Sequence, residues 1–275
     1  EWNLGLRADK LDGDFVSTAT DGTQTERKIY DFGWIIQPKL NAFYTHSDAV
    51  QIYFNFGESF QHPFGSSLYT AGDVKSRDVS KNLGWEVGTT LTIAQDASLR
   101  LSIWRQDAED EFVVVDGESK NVGKTLRQGW EAALIMPISE QFDVWANYSS
   151  VDTEIVNHGS SASAYIGNQL RSIPAYTASL GLDAFITDRL TTRLHLDSQG
   201  DYYVNEANRG GKFGGYTITS ISLDYQMGWG SINVNANNIF DEYHEYVYDL
   251  TQDASDTIHS PGDGRSFSIS ARMNF

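Results

Sequence analysis

Apolar and polar residues alternate one by one over the last stretch of the chain. From Ser266 onward every odd position up to 275 is apolar and every even position is polar. Successive side chains of a β-strand point to opposite faces of a sheet, so this pattern predicts a strand with one apolar and one polar face. Similar runs, bounded by Gly, Asn, Asp or Ser, recur along the chain, and helical periodicity is nowhere sustained. We therefore predict an all-β fold.

The alternating runs predict about twelve strands. Their apolar and polar faces are easily separated, as where Leu194 is flanked by Arg193 and His195. The predicted strands cover residues 1–12, 29–46, 49–62, 82–95, 98–114, 123–138, 141–154, 175–187, 190–205, 215–228, 230–247 and 265–275.

The connections between these strands alternate between very short and long. Short turns lie near 46–48, 95–97, 139–140, 187–189 and 228–230, and long polar loops cover roughly 13–28, 63–81, 115–122, 155–174, 206–214 and 248–264. Outer-membrane barrels have short periplasmic turns and longer extracellular loops, whereas a soluble sandwich has no reason to keep this rule. The pattern predicts a transmembrane antiparallel up-and-down β-barrel, with both chain ends on the periplasmic side.

Composition agrees with a barrel and narrows the possible partners. Mean hydropathy is −0.39 and no apolar run approaches the ~18 residues of a membrane-spanning helix, but barrel strands are short and half polar. Aromatic residues make up 13% of the chain, which suits girdles at two membrane interfaces. Cysteine is absent, which excludes disulfides and thiolate metal sites. The net charge of −17 argues against nucleic acid as a partner.

Five segments, in this order along the chain, resemble the carboxy-terminal half of a TonB-dependent outer-membrane receptor. They are Phe60-Gln61-His62-Pro63, Trp85-Glu86-Val87-Gly88, Gly129-Trp130-Glu131 after Asn121-Val122-Gly123, Asn237-Asn238-Ile239-Phe240-Asp241, and Gly264-Arg265-Ser266-Phe267. The family positions that they match are Phe60, Pro63, Glu86, Gly88, Gly129, Glu131, Asn238, Phe240, Asp241 and Phe267, together with the final aromatic residue Phe275.

The resemblance implies a fold and a function. Residues 1–275 would be the carboxy-terminal portion of a 22-stranded barrel, whose plug domain and amino-terminal strands are not in this chain. The family implies TonB-energised uptake of a scarce large nutrient across the bacterial outer membrane, most often a ferric siderophore or similar metal chelate. Expected partners are outer-membrane lipid, lipopolysaccharide, the chelate, and the TonB complex through the plug.

Two alternatives remain open on the sequence. One is a passive channel or an autotransporter translocation barrel of 12 strands, although an autotransporter unit should begin with a helix, and residues 2–7 read as a strand. The other is a barrel enzyme, whose catalytic residues would converge only in space.

Motif searches give no catalytic site, metal site or cofactor. His244-Glu245 begins a zinc-protease signature, but Tyr248 stands where the second His is needed. The glycines before Lys124 imitate a phosphate loop but are spaced wrongly and lead into a strand. We therefore expect no enzymatic activity.

Three sets of charged or aromatic residues are candidates for binding. Basic and aromatic loop residues could contact an anionic ferric chelate, namely Lys75, Arg77, Tyr202, Tyr203, Arg209 and Lys212. The stretch 241–265 has a local charge of −6, which suits a cation or cationic chelate, although an ordinary solvated loop is the favoured interpretation. Arg7, Arg100 and Arg193 occupy polar-face positions, where we expect them to pair with carboxylates of the plug or the barrel wall.

Overall fold

The sheet that dominates this protein is seen in a computed structural model. The structure describes residues 1–63, 68–70, 78–115, 118–121, 123–157, 165–249 and 255–273. Within these ranges the chain forms β-strands and irregular segments with no α-helix, and no helix long and apolar enough to span a membrane is found.

Twelve antiparallel strands form one continuous sheet in which each strand pairs with the next sheet strand along the chain. This arrangement confirms the predicted all-β up-and-down order. In chain order the twelve are β1 (Trp2–Asp9), β4 (Ile35–Ser47), β5 (Val50–Gln61), β7 (Ser80–Ala94), β8 (Ala97–Glu109), β11 (Lys124–Ser139), β12 (Phe142–Asn157), β13 (Tyr176–Thr187), β14 (Leu190–Gln199), β17 (Tyr216–Met227), β18 (Gly230–Asn237) and β21 (Ser266–Met273).

Short strands in the long connections form separate small sheets. The three-stranded sheet contains β2 (Asp14–Thr18), β3 (Gln24–Ile29) and β6 (Tyr69–Thr70). The hairpins are β9 (Phe112–Val115) with β10 (Glu118–Asn121), β15 (Tyr202–Tyr203) with β16 (Lys212–Phe213), and β19 (Glu245–Asp249) with β20 (Thr257–Pro261).

The alternation of short and long connections is also confirmed. At each short connection, such as that between β11 and β12, only two residues separate the strands, whereas the connections at the other end of the sheet carry all the extra strands. Every long loop therefore emerges at the same end of the sheet, which we call the loop end.

The register separates an apolar face from a polar face. Cross-strand neighbours on the apolar face include Met136, Val144, Leu182, Leu194, Ile221, Ala236 and Phe267. The row one residue along each strand, on the polar face, contains Asp143, Asp183, Arg193, Ser222, Asn235 and Ser268. Leu194 and Arg193 therefore lie on opposite faces, as the alternation predicts.

The sheet is open, because β1 and β21 each pair with a strand on one side only within the described residues. Their apolar side chains are among the most exposed in the chain: Leu6 and Phe267 each have 74% of their surface accessible. Both edges present unpaired backbone donors and acceptors.

Several strands of the main sheet are shorter than the alternation predicts, because at the loop end the chain leaves the main sheet for a small loop sheet or hairpin. The predicted strand 29–46 begins at Ile35 in the sheet, and Ile29 belongs to β3. The predicted strand 230–247 ends at Asn237, after which Asn238 takes a positive φ of 49° and turns the chain. Alternation continues through these hairpins, so the sequence pattern alone cannot show where the pairing partner changes.

Candidate functional site

The polar face carries a cluster of three side chains from neighbouring strands. Tyr53 of β5 donates a hydrogen bond from its hydroxyl to Glu86 of β7, and the Arg100 guanidinium of β8 donates to the same hydroxyl at 2.8 Å. Arg100 also contacts Glu86 at 3.3 Å, and its guanidinium carbon lies 4.9 Å from the centre of the Tyr53 ring. Arg100 is thus paired with a wall carboxylate.

Arg193 and Arg7, the other two arginines that the sequence analysis assigned to carboxylate pairs, also pair with wall carboxylates, which confirms that expectation. Arg193 makes two hydrogen bonds to Asp183 on the neighbouring strand, at 2.5 and 2.9 Å. Arg7 contacts Asp9 at 2.8 Å, and Asp9 also accepts a hydrogen bond from Gln37. Each of these three arginines thus has a carboxylate partner on the sheet.

Small residues make room for large rings on this face. A side chain at Gly88 would meet the Tyr53 ring at 2.3 Å, and one at Gly181 would meet the Trp145 indole at 2.1 Å. Gly129 is restricted by the backbone instead, because a Cβ there would lie 1.9 Å from the carbonyl oxygen of Ser150. Glu131, two residues along β11, is exposed on the same face.

Asn238 holds the chain between β18 and β21. Its side chain is 3% exposed, its amide donates to the carbonyls of Glu242 at 2.9 Å and Asp263 at 3.3 Å, and its oxygen accepts from the Glu242 amide at 2.8 Å. Asp241 accepts a hydrogen bond from the backbone of Arg265. These contacts give Asn238 and Asp241 a structural role in turning the chain into β21.

The remaining matched positions have simpler surroundings. Pro63 is fully buried and Phe60 is half-buried. Phe240 and Phe267 are about three-quarters exposed, at 75% and 74%. Phe275 lies outside the described residues.

A compact group of loops lies at the loop end. Tyr202, Val204 and Val247 form its buried core, with Phe213 packed against them. The Tyr202 hydroxyl accepts a hydrogen bond from the backbone of Val247 at 3.3 Å, which joins the β15–β16 hairpin to the β19–β20 hairpin. We call these two hairpins, with residues 165–173, the loop cluster.

The structure separates the six residues expected to contact a substrate. Tyr202 is 5% exposed and supports the loop cluster from inside. Tyr203 is half-buried beneath Lys212, whose ammonium lies 4.9 Å from the centre of its ring and 3.8 Å from Asp201. Arg209 is exposed. Lys75 and Arg77 lie outside the described residues.

The acidic stretch 241–265 forms specific contacts at the loop cluster. Glu245 accepts a hydrogen bond from the Tyr243 hydroxyl at 2.7 Å and lies 2.9 Å from His259. The Tyr243 hydroxyl, and next His259, hold the pKa of Glu245 below its usual value. No group of three or more His, Asp or Glu side chains suited to a metal ion occurs among the described residues.

Sequence reasoning missed Tyr53, Arg127 and Arg171. Tyr53 could have been found from the apolar alternation of β5, because its large ring falls on the polar face among Asn55 and Gly57. Arg127 and Arg171 line a cavity that forms only when residues 165–173 fold against β11 and β12. No local pattern signals this long-range contact.

The comparisons agree on one family. The model of the TonB-dependent receptor-like β-barrel matches residues 1–239. A curated relative is a "Probable TonB-dependent siderophore receptor PiuA" of Acinetobacter baumannii, 23% identical over 223 residues, which are 69% of this chain and 28% of the relative.

Solved structures show the same fold. The siderophore receptor PiuA from Acinetobacter baumannii has a TM-score of 0.79 and 20% identity, covering 98% of this chain and 40% of that one. The ferric yersiniabactin uptake receptor FyuA from Yersinia pestis has a TM-score of 0.78 and 21% identity, and the match covers 100% of this chain and 43% of that one.

This chain spans 28% of its curated relative and about 40% of the PiuA structure. Its fold therefore matches less than half of each of those receptor chains. The family match over residues 1–239, together with the separation of apolar and polar faces, identifies the chain as a member of the TonB-dependent receptor β-barrel family.

Proposed function

We propose that the protein takes part in TonB-energised uptake of a ferric siderophore or similar metal chelate. The match of residues 1–239 to the receptor barrel family carries this proposal. The names of the proteins that it resembles support the substrate class, since they include siderophore and ferric yersiniabactin receptors. The proposed function is therefore transport.

We also propose that residues 1–275 are the carboxy-terminal portion of a closed barrel. An open sheet edge in hydrocarbon leaves each backbone donor and acceptor unsatisfied, at several kcal/mol apiece. The free edges of β1 and β21 therefore need partner strands. Further amino-terminal strands, outside this chain, would close the barrel, and a plug domain would couple it to the TonB complex.

The apolar face supports a place in the bacterial outer membrane. Trp130, Tyr148 and Tyr176 stack in sequence on this face, with ring centres 4.7 and 5.9 Å apart, and form part of an aromatic girdle. Arg105 and Gln128 share this face and lie two residues closer to the loop end than Ile103 and Trp130. Lipid would contact the face below the girdle, and lipopolysaccharide headgroups would contact the polar residues above it.

Five residues of the long loops are the proposed substrate contacts. Tyr203, Arg209 and Lys212 present aromatic and cationic groups on the β15–β16 hairpin, and Lys75 and Arg77 complete the set predicted from the sequence. Tyr202 contributes indirectly, because its buried ring holds this hairpin against β19.

Deletion of the gene tests the proposal. Under iron limitation, the deletion strain should lose uptake of at least one radiolabelled iron chelate and regain it from a plasmid copy. Uptake should also stop when TonB is removed, whereas entry of a small porin substrate should be unchanged. A deletion strain that keeps wild-type uptake of every chelate tested would refute the assignment.

A further inference from the structure

A small cavity opens at the loop end of the polar face. It has a volume of about 130 Å³, and its apolar wall is formed by Ile155, Leu170 and Ile173. Pockets that enclose a whole drug-sized ligand are usually about 300 to 1,000 Å³. This cavity can therefore accept only one arm or functional group of a larger molecule.

The cavity is held in shape by backbone hydrogen bonds. Residues 165–173 fold against the end of β12, where the Ile155 amide donates to Asn168 at 2.9 Å and the Leu170 amide donates to the Thr153 hydroxyl at 3.0 Å. On the opposite side the Ser172 amide donates to the Tyr203 carbonyl at 2.7 Å. The segment joins the barrel wall to the hairpin that carries the proposed substrate contacts.

Two arginines, Arg127 and Arg171, line the cavity, but only Arg127 forms an ion pair with a carboxylate. Arg127 contacts Glu111 at 2.5 Å and donates to the Thr125 hydroxyl at 3.2 Å, and Thr125 in turn donates to Glu111. This pair satisfies both charges. Glu206, a second carboxylate at the cavity, has an interaction partner of its own.

Arg171 is half-buried, and within the described part of the chain its guanidinium has neither a hydrogen bond nor an ion pair. A guanidinium carries five N–H donors in a planar fork that fits a carboxylate or a similar pair of oxygens. Burial beside Leu170 strengthens such a contact, because a charge-assisted hydrogen bond gains strength where water is excluded.

We propose that Arg171 binds one anionic oxygen-bearing arm of the incoming metal chelate in this cavity, so that the receptor selects negatively charged chelates over uncharged or cationic ones. This inference rests on the proposed uptake function and specifies the charge of its substrate. The net charge of −17 does not oppose it, since fields of exposed charges are largely screened beyond ~8 Å at physiological ionic strength.

Equilibrium binding to the purified full-length receptor tests this assignment. The probes are the anionic iron(III) complexes of citrate and of a tris-catechol, an uncharged iron(III) tris-hydroxamate, and a cationic iron(III) hydroxamate. Arg171→Gln should weaken binding of the preferred anionic complex by about 10- to 100-fold. The affinity of Arg171→Lys should lie between those of the wild type and Arg171→Gln, because lysine keeps the positive charge but lacks the planar fork of donors.

Arg189→Gln is the matched control. It removes the same charge from an exposed turn at the opposite end of the sheet and should leave binding unchanged. Ile173→Trp fills the cavity while leaving Arg171 in place, and it should weaken the same complex. It therefore tests the site independently if Arg171→Gln folds poorly.

The outcomes separate this inference from the proposed function. If the wild-type receptor binds and transports an iron chelate but neither Arg171→Gln nor Ile173→Trp weakens it, the anion site is refuted and the uptake function stands. Preference of the wild-type receptor for an uncharged or cationic complex also refutes the site. If the wild-type receptor binds no iron chelate, both proposals fail.

Discussion

The ring of Tyr53 lies across the backbone of Gly88, its direct partner on the neighbouring strand. Two residues before Gly88, the carboxylate of Glu86 accepts a hydrogen bond from the Tyr53 hydroxyl. A ring that covers a cross-strand glycine packs against the exposed backbone of the sheet. In this chain one tyrosine on the neighbouring strand therefore accounts for the contacts of both Glu86 and Gly88.

Gly88→Ala should destabilise the receptor by about 1 to 3 kcal/mol, as overpacking generally does. The new methyl group would lie 2.3 Å from the Tyr53 ring, which must move and lose its contacts with Glu86 and Arg100. Urea unfolding of the full-length receptor in lipid vesicles measures the change.

Gly84→Ala is the control on the same strand and the same face. Its methyl group would meet only the carbonyl oxygen of Arg105 at 3.7 Å, an ordinary contact. The effect of Gly88→Ala should also shrink in a Tyr53→Ala background, because the clash is then absent. Equal losses of stability in Gly84→Ala and Gly88→Ala would contradict the packing of the Tyr53 ring on Gly88.

Leu194→Arg should lower the free energy of unfolding by about 2 to 4 kcal/mol, because it places a charge on the lipid-facing side of the sheet near mid-strand. Leu194 has Leu182 and Ile221 as its cross-strand neighbours. Asn235→Arg, on the polar face, should cost much less. Vesicle unfolding of the two variants compares the faces directly, and similar losses would show that the facing assignment is wrong.

Asn238→Ala should destabilise the receptor by about 2 to 4 kcal/mol, since it removes three buried hydrogen bonds and leaves a β-carbon at positive φ. Asn238→Gly also removes the side-chain amide, but glycine adopts a positive φ without strain. Its loss of stability should therefore be smaller than that of Asn238→Ala. Asn237→Ala loses a single 3.5 Å contact and serves as the control. Thermal unfolding of the purified receptor should rank the three variants in this order.

The β19–β20 hairpin should loosen at acidic pH. Because the folded-state pKa of Glu245 lies below its unfolded value, its contacts stabilise the hairpin above the unfolded pKa, and this contribution is lost as pH falls through the folded pKa. The pKa of Tyr243 is raised by the same hydrogen bond, so its contribution is lost only as alkaline pH rises through its folded pKa.

Tyr243→Phe tests this contact, because it removes the largest cause of the Glu245 shift. The pKa of Glu245 should rise toward its usual value, as followed by NMR titration of receptor with labelled glutamate. Tyr248→Phe, at an exposed tyrosine of the same hairpin, should leave it unchanged. A Glu245 pKa that stays the same in Tyr243→Phe would rule out the hydrogen bond as its cause.

The number of strands in the main sheet, and the face on which each side chain lies, could be predicted from the sequence because each follows from a local pattern. Leu194 and Arg193 are adjacent in the chain, and adjacent side chains of a strand must point to opposite faces. The two-residue turns were accessible for the same reason, since the short connections are visible as breaks in the alternation.

The binding candidates were less accessible. Tyr202 and Tyr203 are neighbours of the same type, yet one is buried against Val247 and the other lies beneath Lys212. Strand alternation places them on opposite sides of the hairpin, but only the position of β19 decides which side is buried.

The sequence by itself determined a meander of alternating strands with an apolar and a polar face and with all long loops at one end, because period and turn spacing are encoded locally. Only the tertiary structure decided that Tyr53 meets Gly88, that Asn238 turns the chain into its last strand, and that Arg171 reaches a cavity beside Arg127. Those contacts join residues far apart in the chain, so they depend on strand register and loop packing, which no local pattern specifies.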